Sequence, residues 1–219
     1  MKKCCGFVYS EKSSKERYKY SKNKIMKMTL VHKHHFLKNK KQYLAEIKKG
    51  RAFIYPTDTI YGIGCDATNQ KAVQHVHMLK QRENKPFSVI APSKQWILKN
   101  CVITKAAKKW MKKLPGKYTF ILHLKNKKAV AKAVHLGDYT IGVRMPKHWF
   151  AKVVADYGKP IVTTSVNISG EPYMKTAQDV QERIKKHIAF LLYEGPKNAH
   201  PSTIVDFVAH ESGKVKKRK

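Results

Sequence analysis

A short apolar run that ends in a proline and a group of polar side chains constrains this chain more than any other segment. Residues 53–66 read FIYPTDTIYGIGCD. The apolar residues before Pro56 predict a buried strand that ends there, because proline cannot donate to a strand ladder. Thr57, Asp58 and Thr59 then place three oxygen-bearing side chains on one turn. The segment therefore predicts a strand that leads into the edge of a polar pocket.

Two glycines at alternate positions, Gly62 and Gly64, follow this turn. The absence of their side chains is expected to let the backbone approach a ligand closely. The alternative is an ordinary glycine-rich strand and turn. The segment alone does not decide between these two interpretations.

Apolar periodicity and cap residues divide the remaining chain into alternating helices and strands. Helices are predicted at 37–49, from Asn69 to about residue 80, after Ser93, after Thr104, at 149–157 and from Thr176 to residue 188. Strands are predicted at 52–55, 87–91, 118–124, 140–145, 160–165, 190–193 and 203–208. This alternation predicts an α/β fold in which helices pack on the faces of a sheet.

Length and net charge restrict the number of domains and the class of binding partner. The 219 residues fit one compact domain with an extension, and a hydrophobic content of 42% supports a core. The net charge of +32 indicates a polyanionic partner, with nucleic acid as the first class to consider. The alternative is a general lysine-rich composition, since lysine far outnumbers the arginine that would favour bidentate recognition.

The ends of the chain differ from its centre in composition and in apolar periodicity. Residues 1–35 are basic, lack a sustained period and are expected to form a disordered extension. Residues 36–210 are predicted to form the folded domain, and residues 211–219 a basic tail. The four cysteines show no metal-ligand or disulfide spacing, and no apolar run reaches a membrane-spanning length. We therefore expect no metal site of the protein's own, no membrane contact and a cytoplasmic location.

Six polar segments follow one another along the chain in a fixed order. They are KQR at 80–82, KPFS at 85–88, PGKYT at 115–119, VRMP at 143–146, TSVNISG at 164–170 and STIVD at 202–206. In this order and at these separations they resemble the YrdC-like family, whose enzymatic members make threonylcarbamoyl-AMP for the modification of adenosine 37 in tRNA. The resemblance covers roughly residues 37–206. It implies a twisted, mostly mixed sheet with a concave, positively charged cavity.

The resemblance also implies the site residues. The catalytic set is Lys80, Arg82, Ser165 and Asn167. Lysine supplies a mobile point charge and arginine a planar fork that suits carboxylate or phosphate. Serine and asparagine two positions apart on an extended segment point to one face. Substrate or nucleotide contacts are implied for Thr57, Thr119, Arg144 and Ser202.

The substrates implied by the resemblance are ATP, L-threonine and bicarbonate, with Mg²⁺ bound mainly through phosphates and water. A separate tRNA-modifying transferase would receive the product. Asp58 and Asp66 are candidate partners of the site residues. For each residue outside the catalytic set, the alternative role is a local cap or turn hydrogen bond.

Two positions depart from the family pattern. The usual Pro-Gly-Pro reads Pro115-Gly116-Lys117 here, and the Arg-Gly that commonly ends the domain appears as Arg218 followed by Lys219. A sister branch of the family shares the style of the segments around 115–122 and 140–146 but typically lacks the Ser-x-Asn pair. Since Ser165 and Asn167 are both present, the sequence favours the synthase.

Two other functions remain open from the sequence. A module that binds double-stranded RNA or tRNA on the same basic surface, without adenylation, would also account for the charge. A carbamoyl-transfer role like that of related domains in hydrogenase maturation is weaker, because the modules that accompany such domains are missing from these 219 residues.

Overall fold

A mixed β-sheet of ten strands organises residues 28–82 and 85–218, which a computed structural model describes. Across the sheet the strand order is β1-β8-β2-β3-β7-β4-β6-β5-β9-β10. Parallel pairs such as β4 with β6 coexist with antiparallel pairs such as β5 with β6. The α/β fold with a mixed sheet is confirmed. The strands are β1 (Thr29–His32), β2 (Ala52–Tyr55), β3 (Gly62–Gly64), β4 (Ser88–Ile90), β5 (Tyr118–His123), β6 (Thr140–Arg144), β7 (Ile161–Ser165), β8 (Ile188–Tyr193), β9 (Thr203–Asp206) and β10 (Lys214–Lys216).

The predicted cap residues fix several helix ends. Asn69, Ser93 and Thr104 each accept a hydrogen bond from the backbone N–H three residues later, as expected of N-caps. Gly158 ends another helix at a φ of 77°. The helices are α1 (Lys33–Lys38), α2 (Lys40–Lys48), α3 (Gln70–Lys80), α4 (Lys94–Asn100), α5 (Lys105–Trp110), α6 (Lys132–His135), α7 (Trp149–Tyr157) and α8 (Glu182–Lys185), with 3₁₀ turns at Met111–Lys113 and Ala177–Asp179.

Helices cover the two faces of the sheet unequally. On the first face, α3, α4, α5, α6 and α8 contribute to one apolar core that reaches from β2 to β9. On the second face, α1, α2 and α7 pack over an aromatic cluster that includes Phe36, Tyr43, Phe53, Phe150 and Phe190. No residue of β5, β6 or β9 belongs to this second cluster. That part of the second face is therefore open to polar side chains.

The two alternate glycines lie beneath a side chain of the protein itself. A Cβ atom at Gly64 would lie 2.6 Å from Tyr55 Cε1 and 2.9 Å from Ile161 Cγ2, and one at Gly62 would lie 3.1 Å from Tyr55 Cζ. The Tyr55 ring also stacks on Phe150 at 4.4 Å. The expectation that these glycines admit a ligand is wrong, because Tyr55 fills the space that they leave.

Strands lie within both of the predicted terminal extensions. Residues Thr29–His32 form β1, which pairs in parallel with β8 and buries Val31 to 2% exposure. Lys214–Lys216 form β10, which pairs antiparallel with β9. Both strands lie at edges of the sheet, where charged and exposed side chains hide the strand pattern in the sequence. Residues 1–27 of the predicted extension lie outside the described residues.

Two predicted helices are interrupted. The helix expected over 37–49 begins earlier, at Lys33, and breaks at Asn39, where α1 gives way to α2. The helix expected from Thr176 to residue 188 has the predicted capping box with Asp179, but it divides into a 3₁₀ turn at Ala177–Asp179 and the short helix α8 at Glu182–Lys185. Val180, between them, adopts an extended conformation and Ile188 already belongs to β8. Pairing with Ala52 of β2 takes Ile188 out of the helical pattern.

Candidate functional site

The buried ammonium group of Lys80 lies at the centre of the candidate site. Lys80 is the last residue of α3 and is 1% exposed. Its Nζ donates to the carbonyl oxygen of Ser165 at 2.6 Å and to the carbonyl oxygen and Oδ1 of Asn167, both at 2.8 Å. Ser165 Oγ donates to the same Oδ1 at 2.6 Å. Three residues of the predicted catalytic set thus form one hydrogen-bonded group.

The environment of Lys80 disfavours its positive charge. Burial, and then the nearby charge of Arg82, lower the pKa of Lys80 to about 7. In its charged form the Nζ has three hydrogens for three acceptors, whereas the neutral amine has only two. The hydrogen-bonding pattern described above therefore belongs to the protonated form.

Arg82 stands beside this group and is held by backbone carbonyls. Gln81 adopts a left-handed conformation with a φ of 49°, so the chain turns sharply between Lys80 and Arg82. The guanidinium donates to the carbonyl oxygens of Lys85 at 3.1 Å and Pro86 at 2.8 Å. Its central carbon also lies 5.3 Å from the centre of the Phe87 ring. These contacts leave part of the guanidinium fork available for an anion.

Arg144 lies at the end of β6, on the uncovered part of the second face. It donates to Asp58 Oδ1 at 2.6 Å, and both side chains of this ion pair are 6% exposed. Thr59 Oγ1 accepts a longer hydrogen bond from it at 3.3 Å. The other oxygen of Asp58 accepts from the backbone N–H of Lys147 at 2.9 Å. Within the described residues, the buried Nε of Arg144 has no hydrogen-bond partner.

The predicted residues Thr119 and Ser202 meet at the other end of the site. Their hydroxyl oxygens lie 2.7 Å apart. Arg218 donates to the hydroxyl of Ser202 at 2.7 Å and to its carbonyl oxygen at 2.9 Å. Burial, and then the charges of Arg144 and Arg82, lower the pKa of Arg218. The antiparallel return of β10 along β9 thus brings the C-terminal arginine back to the site.

The hydroxyl group of Thr57 forms hydrogen bonds within its own loop. Its hydroxyl donates to the carbonyl oxygen of Ile60 at 2.7 Å and lies 3.0 Å from Thr59 Oγ1. Thr57 is 1% exposed. The local turn role that the sequence left open is therefore present, and a contact between Thr57 and a substrate stays a prediction.

The two candidate acidic partners separate. Asp58 pairs with Arg144, as described above, and so belongs to the site. Asp66 instead accepts hydrogen bonds from Thr68, Tyr157 and Lys159 at the far end of β3, which tie α7 to the start of α3. Sequence reasoning had no signal to separate these two carboxylates, because the partners that distinguish them lie far away in the chain: Arg144 for Asp58, and Tyr157 and Lys159 for Asp66.

Four cationic side chains therefore lie around this region: Lys80, Arg82, Arg144 and Arg218. Asp58 is the carboxylate that hydrogen-bonds to this group, through Arg144. Such a surplus of guanidinium groups suits ligands with several negative charges, such as phosphates and carboxylates. A shallow surface hollow elsewhere contains none of the predicted site residues; it is lined by Lys41, Leu44, Ala45, Lys48, Asp156, Tyr157 and Lys159.

The described residues show neither a cluster of metal ligands nor a membrane-spanning helix. In residues 28–82 and 85–218, no three side chains of histidine, cysteine, aspartate or glutamate gather in a way that could hold a metal ion. Within the same ranges, no helix has the length and apolar character required to cross a membrane.

Comparisons with known proteins identify the family of this chain. The family model Sua5_yciO_yrdC, described as "Telomere recombination", matches residues 45–217. A protein of Methanocaldococcus jannaschii, whose name gives threonylcarbamoyl-AMP synthase as a provisional assignment, is 36% identical over 187 residues, which are 84% of this chain and 87% of that protein. The threonylcarbamoyl-AMP synthase of Vibrio vulnificus is 31% identical over 176 residues, 77% of this chain and 93% of that protein.

A solved structure shares the fold. The P. abyssi Sua5 structure complexed with L-threonine aligns with a TM-score of 0.76 at 25% identity and covers 86% of this chain. This chain spans about half of that protein, because the alignment covers 56% of the Sua5 chain. With a family model that spans 45–217 and a relative that is 36% identical over most of both chains, this chain belongs to the Sua5/YciO/YrdC family.

Proposed function

We propose that this protein is an L-threonylcarbamoyladenylate synthase. This nucleotidyltransferase would form L-threonylcarbamoyl-AMP and pyrophosphate from L-threonine, bicarbonate and ATP. The observation that carries the proposal is the hydrogen-bonded group of Lys80, Ser165 and Asn167 with Arg82 beside it. The names of the M. jannaschii and V. vulnificus relatives, and the L-threonine in the Sua5 structure, support the same activity.

The reaction brings several anions together. The amine of threonine adds to the carbon of bicarbonate-derived carbon dioxide and loses a proton, which gives a carbamate. An oxygen of the carbamate attacks the α-phosphorus of ATP, and the bond to the β-phosphate breaks to release pyrophosphate. The threonine carboxylate, the carbamate and the triphosphate repel one another, so the site must offset negative charge where it develops.

The site residues would offset this negative charge in different ways. Arg82, Arg144 and Arg218 provide planar forks for the carboxylate and the phosphates. Lys80 holds Ser165 and Asn167 with their polar groups on one side, and it adds a positive charge nearby. These two residues would hydrogen-bond the carbamate or the nucleotide.

The remaining predicted contacts concern the nucleotide and threonine. Thr119 and Ser202 are adjacent hydroxyl groups that would contact the nucleotide. Thr57 would contact threonine or nucleotide after a change in the hydrogen bond that it now donates to Ile60.

Magnesium in this proposal arrives with the triphosphate. Both carboxylate oxygens of Asp58 already accept hydrogen bonds from protein groups, and the described residues contain no cluster of metal ligands. The fit is therefore to an ion held through phosphates and water, which would neutralise the charge of ATP.

The product would serve the modification of adenosine 37 in tRNA. A separate transferase would carry the threonylcarbamoyl group to the tRNA, and both steps would take place in the cytoplasm. An RNA-binding module without adenylation is less well supported, because it leaves the buried group around Lys80 without a role.

Pyrophosphate release tests the proposal directly. Release should require ATP, L-threonine and bicarbonate, each of which is omitted in turn. Lys80→Ala should lower the rate by about 100- to 1000-fold, the range for the loss of one preorganised donor. Lys71→Ala, a control at an exposed position on the same helix, should leave the rate unchanged.

The outcomes separate the two functions. Folded wild-type protein that releases no pyrophosphate with all three substrates present would contradict the synthase. Binding of tRNA that persists unchanged in Lys80→Ala, alongside a lost reaction, would show that the site serves catalysis rather than RNA binding.

A further inference from the structure

The imidazole ring of His77 contacts two backbone carbonyl groups from separate parts of the chain. His77 lies on α3, three residues before Lys80, and is 9% exposed. Its Nδ1 lies 2.5 Å from the carbonyl oxygen of Arg82, and its Nε2 lies 2.8 Å from that of Ala133 in α6. A carbonyl oxygen only accepts hydrogen bonds, so each bond needs a hydrogen on the ring nitrogen. The imidazolium form, with a hydrogen on both nitrogens, makes the two bonds at once.

His77 also holds Arg82 through its backbone. The carbonyl oxygen of His77 accepts from the backbone N–H of Arg82 at 3.0 Å. One residue therefore binds both backbone polar groups of Arg82. Gln81, between Lys80 and Arg82, has a φ of 49°, a left-handed conformation that is unfavourable for a residue with a Cβ atom. The two bonds from His77 close the turn around Gln81 and hold it in this conformation.

The side chain of Arg82 is fixed against the same part of the fold. The rings of Phe87 and His77 stack with 4.0 Å between their centres, and the guanidinium of Arg82 lies over Phe87. The backbone N–H of Phe87 donates to the carbonyl oxygen of Val134 at 2.9 Å. The carbonyl group of Ala133, which accepts from His77, is the one before it. Helix α6 therefore anchors both His77 and Phe87.

These contacts exclude His77 from proton transfer to a substrate. Both of its ring nitrogens face backbone carbonyl oxygens, and the residue is buried. A general acid or base needs an atom within hydrogen-bond reach of the reacting group. His77 can therefore act on the reaction only through a residue that it holds.

We propose that His77 is a positioning residue, which fixes Arg82 in the synthase site through the hydrogen bond from Nδ1 to the Arg82 carbonyl oxygen. This inference rests on the proposed synthase activity and adds a residue to its site. A guanidinium fork binds carboxylate or phosphate in a defined direction. His77 sets the position of the Arg82 backbone, and the carbonyl oxygens of Lys85 and Pro86 then direct its guanidinium.

The alternative is that His77 only stabilises the junction of α3 and α6. In that case, loss of either ring hydrogen bond would lower the free energy of unfolding and leave the rate per folded molecule unchanged. The two ring nitrogens have different partners, so the two bonds can be removed separately. Separate removal distinguishes positioning of Arg82 from general stabilisation.

Two substitutions remove one bond each. In His77→Asn, the side-chain amide can place its N–H₂ near the position of Nδ1 and donate to Arg82, whereas the bond to Ala133 is lost. In His77→Gln, the longer side chain can donate to Ala133, whereas the bond to Arg82 is lost. The matched control is His75→Gln, at a half-buried histidine on the same helix.

Pyrophosphate release by the full chain gives the first measurement. His77→Gln should lower kcat by about 10- to 100-fold, the range for a displaced catalytic group, and His77→Asn should stay within about 3-fold of the wild type. The His75→Gln control should release pyrophosphate at the wild-type rate. Urea unfolding of each variant gives the folded fraction by which its rate is divided. Equal rates per folded molecule in His77→Asn and His77→Gln would overturn the proposal.

Nuclear magnetic resonance gives a second measurement that needs no turnover. The Nε–H of Arg82 donates to the carbonyl oxygen of Lys85, so its ¹H–¹⁵N signal reports the position of the guanidinium. Its absence in Arg82→Lys assigns the signal. The signal should keep its position in His77→Asn, and it should move and exchange faster with solvent in His77→Gln. An unchanged signal in His77→Gln would contradict positioning by His77.

The protonation of the His77 ring is open to the same method. In ¹⁵N-histidine-labelled protein, the Nδ1 of His77 should carry a hydrogen, because it donates to the Arg82 carbonyl oxygen. The loss of its signals in His77→Asn identifies them among the eleven histidines. A ring with a hydrogen on Nε2 alone would also overturn the proposal.

The two kinds of measurement separate failure of this inference from failure of the proposed function. If the wild type releases no pyrophosphate, the synthase proposal fails, and the Arg82 signal still decides whether His77 fixes this arginine. If the wild type is active and the two His77 variants have equal rates, the synthase proposal stands and the positioning role of His77 fails.

Discussion

Lys80 combines nearly complete burial with three hydrogen-bond acceptors. Burial and the charge of Arg82 oppose the ammonium form and lower the pKa of Lys80 to about 7 from an ordinary value of 10.5. Three oxygen acceptors from Ser165 and Asn167 match the three hydrogens of that same form. The ammonium form of Lys80 therefore joins both residues of the Ser-x-Asn pair through its hydrogen bonds.

The sign of this pKa shift predicts a pH dependence of stability. Between about pH 7 and about pH 10 the unfolded chain holds the Lys80 proton and the folded protein releases it, so the free energy of unfolding rises with pH. We expect the difference in this free energy between wild type and Lys80→Met to increase from about pH 6 to about pH 9. Urea unfolding at several pH values measures it, and parallel curves for the two proteins would contradict the shift.

At the scale of elements, the hairpin of β2 and β3 depends on the two glycines under Tyr55. The hydroxyl of Tyr55 donates to the carbonyl oxygen of Val162 at 3.0 Å, and its ring stacks on Phe150. The ring is thus fixed on both sides and cannot move away from β3. The turn that follows β2 carries Asp58, which pairs with Arg144.

The crowding at the two glycines differs and predicts a ranking. Gly64→Ala meets the Tyr55 ring, Ile161 and the backbone oxygen of Val162 within 3.0 Å, and should lower the free energy of unfolding by about 1 to 3 kcal/mol. Gly62→Ala meets only atoms of Tyr55, at 3.1 Å and beyond, and should cost less. Thermal and denaturant unfolding of both variants provides the comparison; an equal or reversed order would show that the Tyr55 ring is not fixed.

The net charge of +32 acts on the whole molecule. Like charges on a compact surface repel one another, and salt screens this repulsion over about 10 Å at 0.1 M. Raising KCl from about 20 to about 300 mM should therefore stabilise the fold by about 1 kcal/mol, which raises Tm by about 2 to 4 °C. Calorimetry measures the change, and sucrose instead of salt controls for general solvent effects. A Tm that falls with salt would indicate that ion pairs outweigh repulsion.

The sequence by itself determined the features that arise within a few residues of one another. The N-caps Asn69, Ser93 and Thr104 were identifiable because a cap bonds to the backbone three residues later. The α/β fold followed from alternating periodicities, and the ordered motifs placed Lys80 and Asn167 in one candidate site. In these cases a local pattern carries the information.

Only the tertiary structure decided which distant residues meet. Arg218 reaches Ser202 because β10 pairs with β9, and the exposed residues Lys214–Lys216 of β10 have no apolar pattern that predicts this pairing. Asp58 and Asp66 look alike in the sequence and differ only in the partners that the fold brings to them. Long-range pairing selects one arrangement among many that the same local patterns allow, and this selection is a property of the packed molecule.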